Sequence, residues 1–225
     1  LAISTELPLV IVNVQHGGPS TGLPTKTEQA DLNQAVYGRN GDAPSPVLAA
    51  ASRADCFDRA IEAVNLAMRF MTPIMLLSDG YIANAAEPWK IPDIAAPAYA
   101  PRPVYFHADP DGFQPLQRDP GTGTRPRAVL GTSTLEHRIS GLEKDFNSGN
   151  VSYDRDNHRL MTTARVGKIA GIADHFPPQI IEISPNRGKV AVLTWSSPYG
   201  PARVAVRRAL ADGRSVAHIQ LRYIW

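Results

Sequence analysis

Cysteine is nearly missing from this sequence: Cys56 stands alone among 225 residues. One thiol cannot form an internal disulfide framework. Nor can it build an iron–sulfur cluster from this chain alone, since such clusters take four thiolates as a rule. A cytoplasmic setting is therefore expected. Long apolar runs are missing too. None approaches the roughly 18 residues that a membrane helix needs, so no membrane span is expected. A strong charge of one sign is also absent. The net charge is +2 with Lys and Arg scattered, which argues against nucleic acid as a partner. The six histidines are isolated, with no H-x-x-x-H or C-x-x-C pair to hold a metal. No serine sits in a nucleophile elbow. The start, Leu1-Ala2-Ile3-Ser4-Thr5-Glu6, carries no signal-peptide pattern, and both ends read as cut, as in an internal fragment.

Proline, by contrast, is plentiful. Nine of the 20 prolines fall between Pro88 and Pro126, a stretch that cannot be a regular helix or a central strand. It is expected to be a long irregular connection between two α/β units.

Leu9 to Val14 is apolar and β-branched at nearly every position, the pattern of a buried parallel strand. Thr25-Lys26-Thr27-Glu28 has the form of a capping box, so a helix with Thr25 as its N-cap is expected there, ending at Gly38. Ser52 and Asp55 form a second capping pattern ahead of a helix whose Phe57, Ile61, Val64 and Met68 recur at helical spacing. Ile74 to Leu77 is a short strand, stopped by Asp79-Gly80. Arg159 to Ile172 is helical. Val190 to Trp195 is a strand, Pro201 to Ala211 a helix burying Val204, Val206 and Leu210, Gly213 its C-cap, and Val216 to Leu221 a strand. Strand–helix–strand alternation of this kind indicates parallel sheets.

One loop stands out. Gly17 and Gly22 have the spacing of a phosphate loop, but Leu23-Pro24 stands where Lys-Ser/Thr is required and Pro19 lacks a backbone donor. A nucleotide P-loop is excluded. The remaining readings are a tight turn or a ligand loop beyond the carboxyl end of a strand, where open α/β sheets bind their ligands. His16, Ser20 and Thr21 with free backbone donors could hold a carboxylate there. Asp79 reads first as a turn residue. Composition and spacing stop at an α/β protein with one ligand-type loop.

The stretch Thr5-Glu6-Leu7-Pro8-Leu9-Val10-Ile11-Val12, followed by Gln15-His16-Gly17-Gly18-Pro19-Ser20-Thr21-Gly22-Leu23-Pro24-Thr25-Lys26-Thr27-Glu28-Gln29-Ala30-Asp31-Leu32, resembles the alpha subunit of 2-oxoacid:ferredoxin oxidoreductases. Met71 to Tyr81, Glu87-Pro88-Trp89, Glu136-His137-Arg138 and Ser152-Tyr153-Asp154 support the resemblance, which covers nearly the whole chain. It implies an α/β fold in three stretches. Residues 1–98 would be the C-terminal part of a thiamine-diphosphate-binding, pyrimidine-type domain. Residues 99–157 would be the proline-rich connection, and 158–225 the N-terminal part of a transketolase-C-terminal-like domain. The implied reaction converts a 2-oxoacid, of the 2-oxoglutarate type, and coenzyme A to an acyl-CoA and carbon dioxide, with ferredoxin as electron acceptor. Thiamine diphosphate, Mg and an iron–sulfur cluster are implied cofactors. The implied partner is a beta subunit, which holds the diphosphate, Mg and cluster, in a dimer of alpha-beta units.

Carried over residue by residue, the resemblance makes His16 and Thr25 the substrate contacts and Gly17, Gly18, Ser20, Thr21 and Gly22 the supporting loop. No catalytic residue lies in this stretch. Four departures stand out. His16 replaces an Arg, and Asn13 replaces an Asp. Ser196-Ser197-Pro198 replaces a glycine-containing turn, and the segment carrying the family's catalytic Glu is absent. Two other classes of function remain open at this point: a non-catalytic interaction subunit and a free-standing small-ligand binding domain.

Overall fold

A computed structural model describes residues 1–100, 108–183 and 188–225. A short helix, α1 (Ala2–Thr5), leads into strand β1 (Leu9–Gln15). After helix α2 (Leu32–Tyr37) come β2 (Val47–Ala49), α3 (Arg53–Phe70), β3 (Pro73–Asp79) and the one-turn α4 (Gly80–Asn84). The three strands form a parallel sheet in the order β1-β3-β2. Leu9 pairs with Pro73 and Gln15 with Asp79, so β1 and β3 end together. The proline-rich connection is irregular over its described part, apart from one 3-10 turn at Pro97–Tyr99; residues 101–107 lie outside the described residues. Helix α5 (Arg155–Ile172) follows. Then β4 (Val190–Trp195), α6 (Tyr199–Ala211) and β5 (Val216–Leu221) build a second, two-stranded parallel sheet. The expected α/β class with parallel sheets is the one found.

Residues after β5 return to the first sheet. Ala49 donates to Arg222 O and Ile224 to Val47 O, both at 2.8 Å, so the chain end pairs with the free edge of β2. That pairing leaves β1 as the exposed edge. Leu9, Ile11, Val12 and Val14 are 40–59% exposed, against the expectation of a buried strand. The apolar pattern is there, but among the described residues Val10 alone of its valines and leucines packs against the core, and the rest stays largely open.

Helix α3 starts as expected: the Ser52 hydroxyl accepts from Asp55 N–H at 3.3 Å, a bond worth about 1 kcal/mol. Its core face differs from the expected stripe. Ala63, Leu66, Ala67 and Phe70 are buried against Leu48, Ile74 and Leu76, joined by Ile169 and Ile172 of α5. Val64 points out, 52% exposed. The two alanines allow close approach to the sheet, and a search for large apolar residues overlooks them. Phe57 instead packs on Trp89 and Tyr99 of the proline-rich connection, which covers a second side of the helix. In α6, Val206 is buried but Val204 is half exposed, because that helix covers two strands only.

The expected helix start at Thr25 is also corrected. Lys26 N–H closes a turn on Leu23 O at 2.9 Å, and the helix begins only at Leu32, after Asp31. Thr25 caps nothing.

A buried ionic cluster ties the start of the chain to later segments. Glu6 is 2% exposed, with φ +50°. Arg118 donates to both of its oxygens (3.0 and 2.5 Å), and the Lys168 ammonium lies 3.5 Å away. Arg125 Nε donates to the Glu6 carbonyl at 3.3 Å. Burial alone would raise the Glu6 pKa. The charges of Lys168 and Arg118 outweigh it and hold the carboxyl below its ordinary 4.5. Burial pushes the Lys168 pKa down to about 8. Removing one partner of such a cluster leaves uncompensated charge inside, at a typical cost of about 3–5 kcal/mol. Glu6→Gln should therefore lower the melting temperature strongly at pH 7. Because the folded pKa of Glu6 is depressed, its stabilisation is present above the ordinary value and lost as pH falls through the folded one. The parent protein should thus lose melting temperature at acid pH more steeply than Glu6→Gln. Equal melts at pH 7 would contradict this.

Candidate functional site

The carboxyl ends of β1, β3 and β4 meet, and the loop 16–28 lies over them. Its geometry follows from a few backbone bonds. Gly17 N–H donates to Lys26 O at 2.9 Å, and Leu23 N–H donates to Gly17 O at 2.7 Å. The first bond brings the base of the loop together and sets His16 and Thr25 on either side of it. Gly22 is required there: its φ is +39°, and a Cβ would sit 2.0 Å from Gly17 O. Gly18, with a cis bond to Pro19, has open space around it. Ser20 and Thr21 are exposed at the tip, and Ser20 has φ +54°.

His16 is half-buried. Its Nδ1 lies 3.2 Å from Gly17 O, a carbonyl that can accept a hydrogen bond from it. Thr25 is exposed, and among the described residues its hydroxyl has no hydrogen-bond partner. Glu28 Oε1 lies close to Gly17. An anion at this loop must therefore be met by specific donors rather than by a general positive field.

The support beneath the loop is polar and buried. Gln15, 1% exposed, accepts from Asp31 N–H through Oε1 (3.1 Å) and donates to Ser78 O through Nε2 (3.4 Å). Asn13 donates to the Asp31 carboxylate at 3.1 Å. An ionised Asp at position 13 could not make that bond. Gln29 donates to Trp195 O at 2.9 Å, which reaches the end of β4. Gly80 backs the loop: its missing Cβ would meet Pro24 O at 3.5 Å.

Asp79 joins the two sheets. Oδ1 accepts from Tyr81 and Ile82 N–H (3.0 and 3.1 Å), capping α4; Oδ2 accepts from Ser196 Oγ (2.8 Å) and Ser197 N–H (3.1 Å). It is 0% exposed. Burial would raise its pKa, but these hydrogen bonds win and hold it below 3.8. Ser196 adopts φ +58°, the conformation that favours glycine. The hydroxyl bond to Asp79 offsets that strain. Sequence reasoning dismissed Asp79 as a turn residue and did not single out Gln15 or Gln29. The replacement of a glycine turn by Ser196-Ser197 was the visible signal.

Residues 1–151 match the family described as "Pyruvate flavodoxin/ferredoxin oxidoreductase, thiamine diP-bdg". The chain belongs to this family. A relative from Mycobacterium tuberculosis, 2-oxoglutarate oxidoreductase subunit KorA, is 50% identical over 224 residues, covering 100% of this chain and 34% of its own length. The alpha subunit of 2-oxoacid:ferredoxin oxidoreductase 1 from Aeropyrum pernix is 32% identical over 97% of this chain and 34% of its own. The chain thus spans about a third of these relatives. Among solved structures, the 2-oxoglutarate:ferredoxin oxidoreductase from Magnetococcus marinus, with 2-oxoglutarate, coenzyme A and succinyl-CoA bound, superposes with a TM-score of 0.84 at 31% identity; the match covers 100% of this chain and 38% of that one.

The family's name implies thiamine diphosphate. Among the described residues, no three His, Cys, Asp or Glu side chains converge as metal ligands. Cys56, whose thiol pKa is raised first by burial, is the one thiol. These residues alone do not fit the Mg-bound diphosphate end of the cofactor or a four-thiolate cluster. Among the described residues, no helix is long and apolar enough to cross a membrane.

Three substitutions separate loop geometry from capping. Gly22→Ala should displace the loop, because the methyl collides with Gly17 O. Thr25→Ala should change stability by less than about 0.5 kcal/mol, whereas Ser52→Ala costs about 1 kcal/mol. Thermal melts of the three variants measure this, and an equal loss from Thr25→Ala would restore the capping role.

Proposed function

We propose that this chain is part of the alpha subunit of a thiamine-dependent oxidoreductase that converts 2-oxoglutarate and coenzyme A to succinyl-CoA and carbon dioxide, passing the electron pair to ferredoxin. The observation that carries the reading is the loop closed by Gly17 and Lys26. It presents His16 and Thr25 at the carboxyl end of β1, in a chain half identical to a 2-oxoglutarate oxidoreductase subunit. The ligands named for the Magnetococcus marinus enzyme support the choice of oxoacid and of coenzyme A.

In this reading, the His16 imidazole and the Thr25 hydroxyl hold a substrate carboxylate. Gly17, Gly18, Ser20, Thr21 and Gly22 shape the loop around it. A beta subunit supplies the Mg-bound diphosphate site and the iron–sulfur cluster, and the complex is a cytoplasmic dimer of alpha-beta units. The imidazole offers a single donor where a guanidinium would offer a fork. The turn at Ser196-Ser197, a departure from the family pattern, donates two hydrogen bonds to Asp79, so its altered sequence gives a non-catalytic subunit no support.

The test uses the complete complex. A hydrogen bond to a charged group contributes about 1.5–3 kcal/mol. His16→Ala should therefore raise the KM for 2-oxoglutarate at least tenfold with kcat largely kept, and His16→Arg should lower KM below the parent value. Thr25→Ala should reduce kcat/KM for 2-oxoglutarate more than for pyruvate, which lacks the second carboxylate. An unchanged KM in both His16 variants would remove His16 from the substrate site.

A further inference from the structure

The substrate loop is tied to the second sheet by one side chain. Gln29 lies four residues beyond Thr25, and its Nε2 donates to the carbonyl of Trp195, the last residue of β4, at 2.9 Å. That carbonyl is held firmly. The next residue, Ser196, is fully buried and bonded to Asp79, and its own carbonyl accepts from Gln220 Nε2 at 3.3 Å. Gln220 is in turn braced by the Thr194 hydroxyl at 2.6 Å. The far end of the bond is therefore a fixed point built from β3, β4 and β5. The near end belongs to a loop that is exposed from Gly18 to Glu28.

No hydrogen bond of the described residues ties Thr27 or Glu28 to anything else, so Gln29 is the first side-chain anchor after Thr25. The next is the Asp31 backbone on Gln15, which fixes the entry to α2 rather than the loop. The core does not depend on Gln29. It is only half-buried and belongs to neither apolar cluster.

We infer that Gln29 is a positioning residue: its bond to Trp195 O sets the approach of Thr25 to the substrate, and the second α/β unit thereby acts on the affinity of a loop that belongs to the first. Ser196 shares that role through Asp79, because it sets where the Trp195 carbonyl stands. The inference rests on the assignment of the loop to 2-oxoglutarate binding.

The complete complex with its beta subunit is assayed for 2-oxoglutarate oxidation, alongside thermal melts. Gln29→Met keeps length and apolar contacts but removes the donor. It should raise KM about three- to tenfold, the range expected for one lost hydrogen bond, with kcat and melting temperature close to the parent values. Gln29→Lys, which restores an N–H donor of similar reach, should recover most of the KM. Ser196→Gly relieves the backbone conformation but loses the Asp79 bond. Combined with Gln29→Met, it should raise KM less than the product of the two single effects, since both act through one carbonyl. A parent-like KM in Gln29→Met, or a fall in kcat and melting temperature with KM unchanged, would overturn the inference. His16→Ala separates the levels. If it raises KM while Gln29→Met does not, the positioning role fails alone. If neither variant raises KM, the substrate assignment of the loop fails and takes the positioning role with it.

Discussion

The carboxylate of Asp79 lies where β3 ends, out of contact with solvent, and accepts four hydrogen bonds from two directions. One pair starts α4. The other holds the turn after β4. A buried carboxylate without such donors would give up its charge or disrupt the fold. With them it stays ionised, and the two parallel sheets are fixed with the carboxyl ends of β3 and β4 together. The loop 16–28 then rests on a floor made from both sheets: Gly80 below Pro24, Gln15 below Asp31, Trp195 O against Gln29. Had Asp79 been an ordinary turn residue, the Gln29 bond to Trp195 O would be left to anchor the second sheet here without it.

The loop depends on geometry as much as on its chemistry. Gly22 can lie against Gly17 O only because it has no Cβ. The reach from His16 to Thr25 follows from the bond between Gly17 and Lys26. These constraints explain why the segment has to be glycine-rich at position 22 but not at position 18. They also explain why Thr25 is exposed: it sits on a turn, outside any helix. An N-cap hydroxyl would be occupied by its own backbone, whereas this one is open to a ligand.

Much of the architecture was legible in the residues. β4 and β5 were read to the residue, because β-branched runs bounded by turn residues have few other solutions. The Ser52 cap of α3 was legible because its residue types and spacing suit few other local structures. The start of α2 was not. Thr25 and Glu28 have the right types and spacing for a capping box, but the turn at Leu23 to Lys26 and the bond to Gly17 use the backbone first. The inward face of α3 was missed because its contacts with the sheet are made largely by alanines. Exposure of β1 was illegible in principle, since the pattern records what a strand is suited to pack against, and among the described residues little beyond Val10 is covered. Glu6 and Asp79 illustrate a further limit. Each is a common surface residue type, and partners brought from 112 to 162 positions away, Arg118 and Lys168 for Glu6 and Ser196 to Ser197 for Asp79, turn them into buried hubs.

The central claim is that the loop over β1, β3 and β4 receives the oxoacid through His16 and Thr25. The most direct measurement is a structure of the assembled complex, this subunit with its beta partner, determined with 2-oxoglutarate bound. The account predicts a substrate carboxylate within about 3 Å of His16 Nε2 and of the Thr25 hydroxyl, with the Gln29 bond to Trp195 O intact. Substrate bound elsewhere, with both side chains still facing solvent, would contradict it.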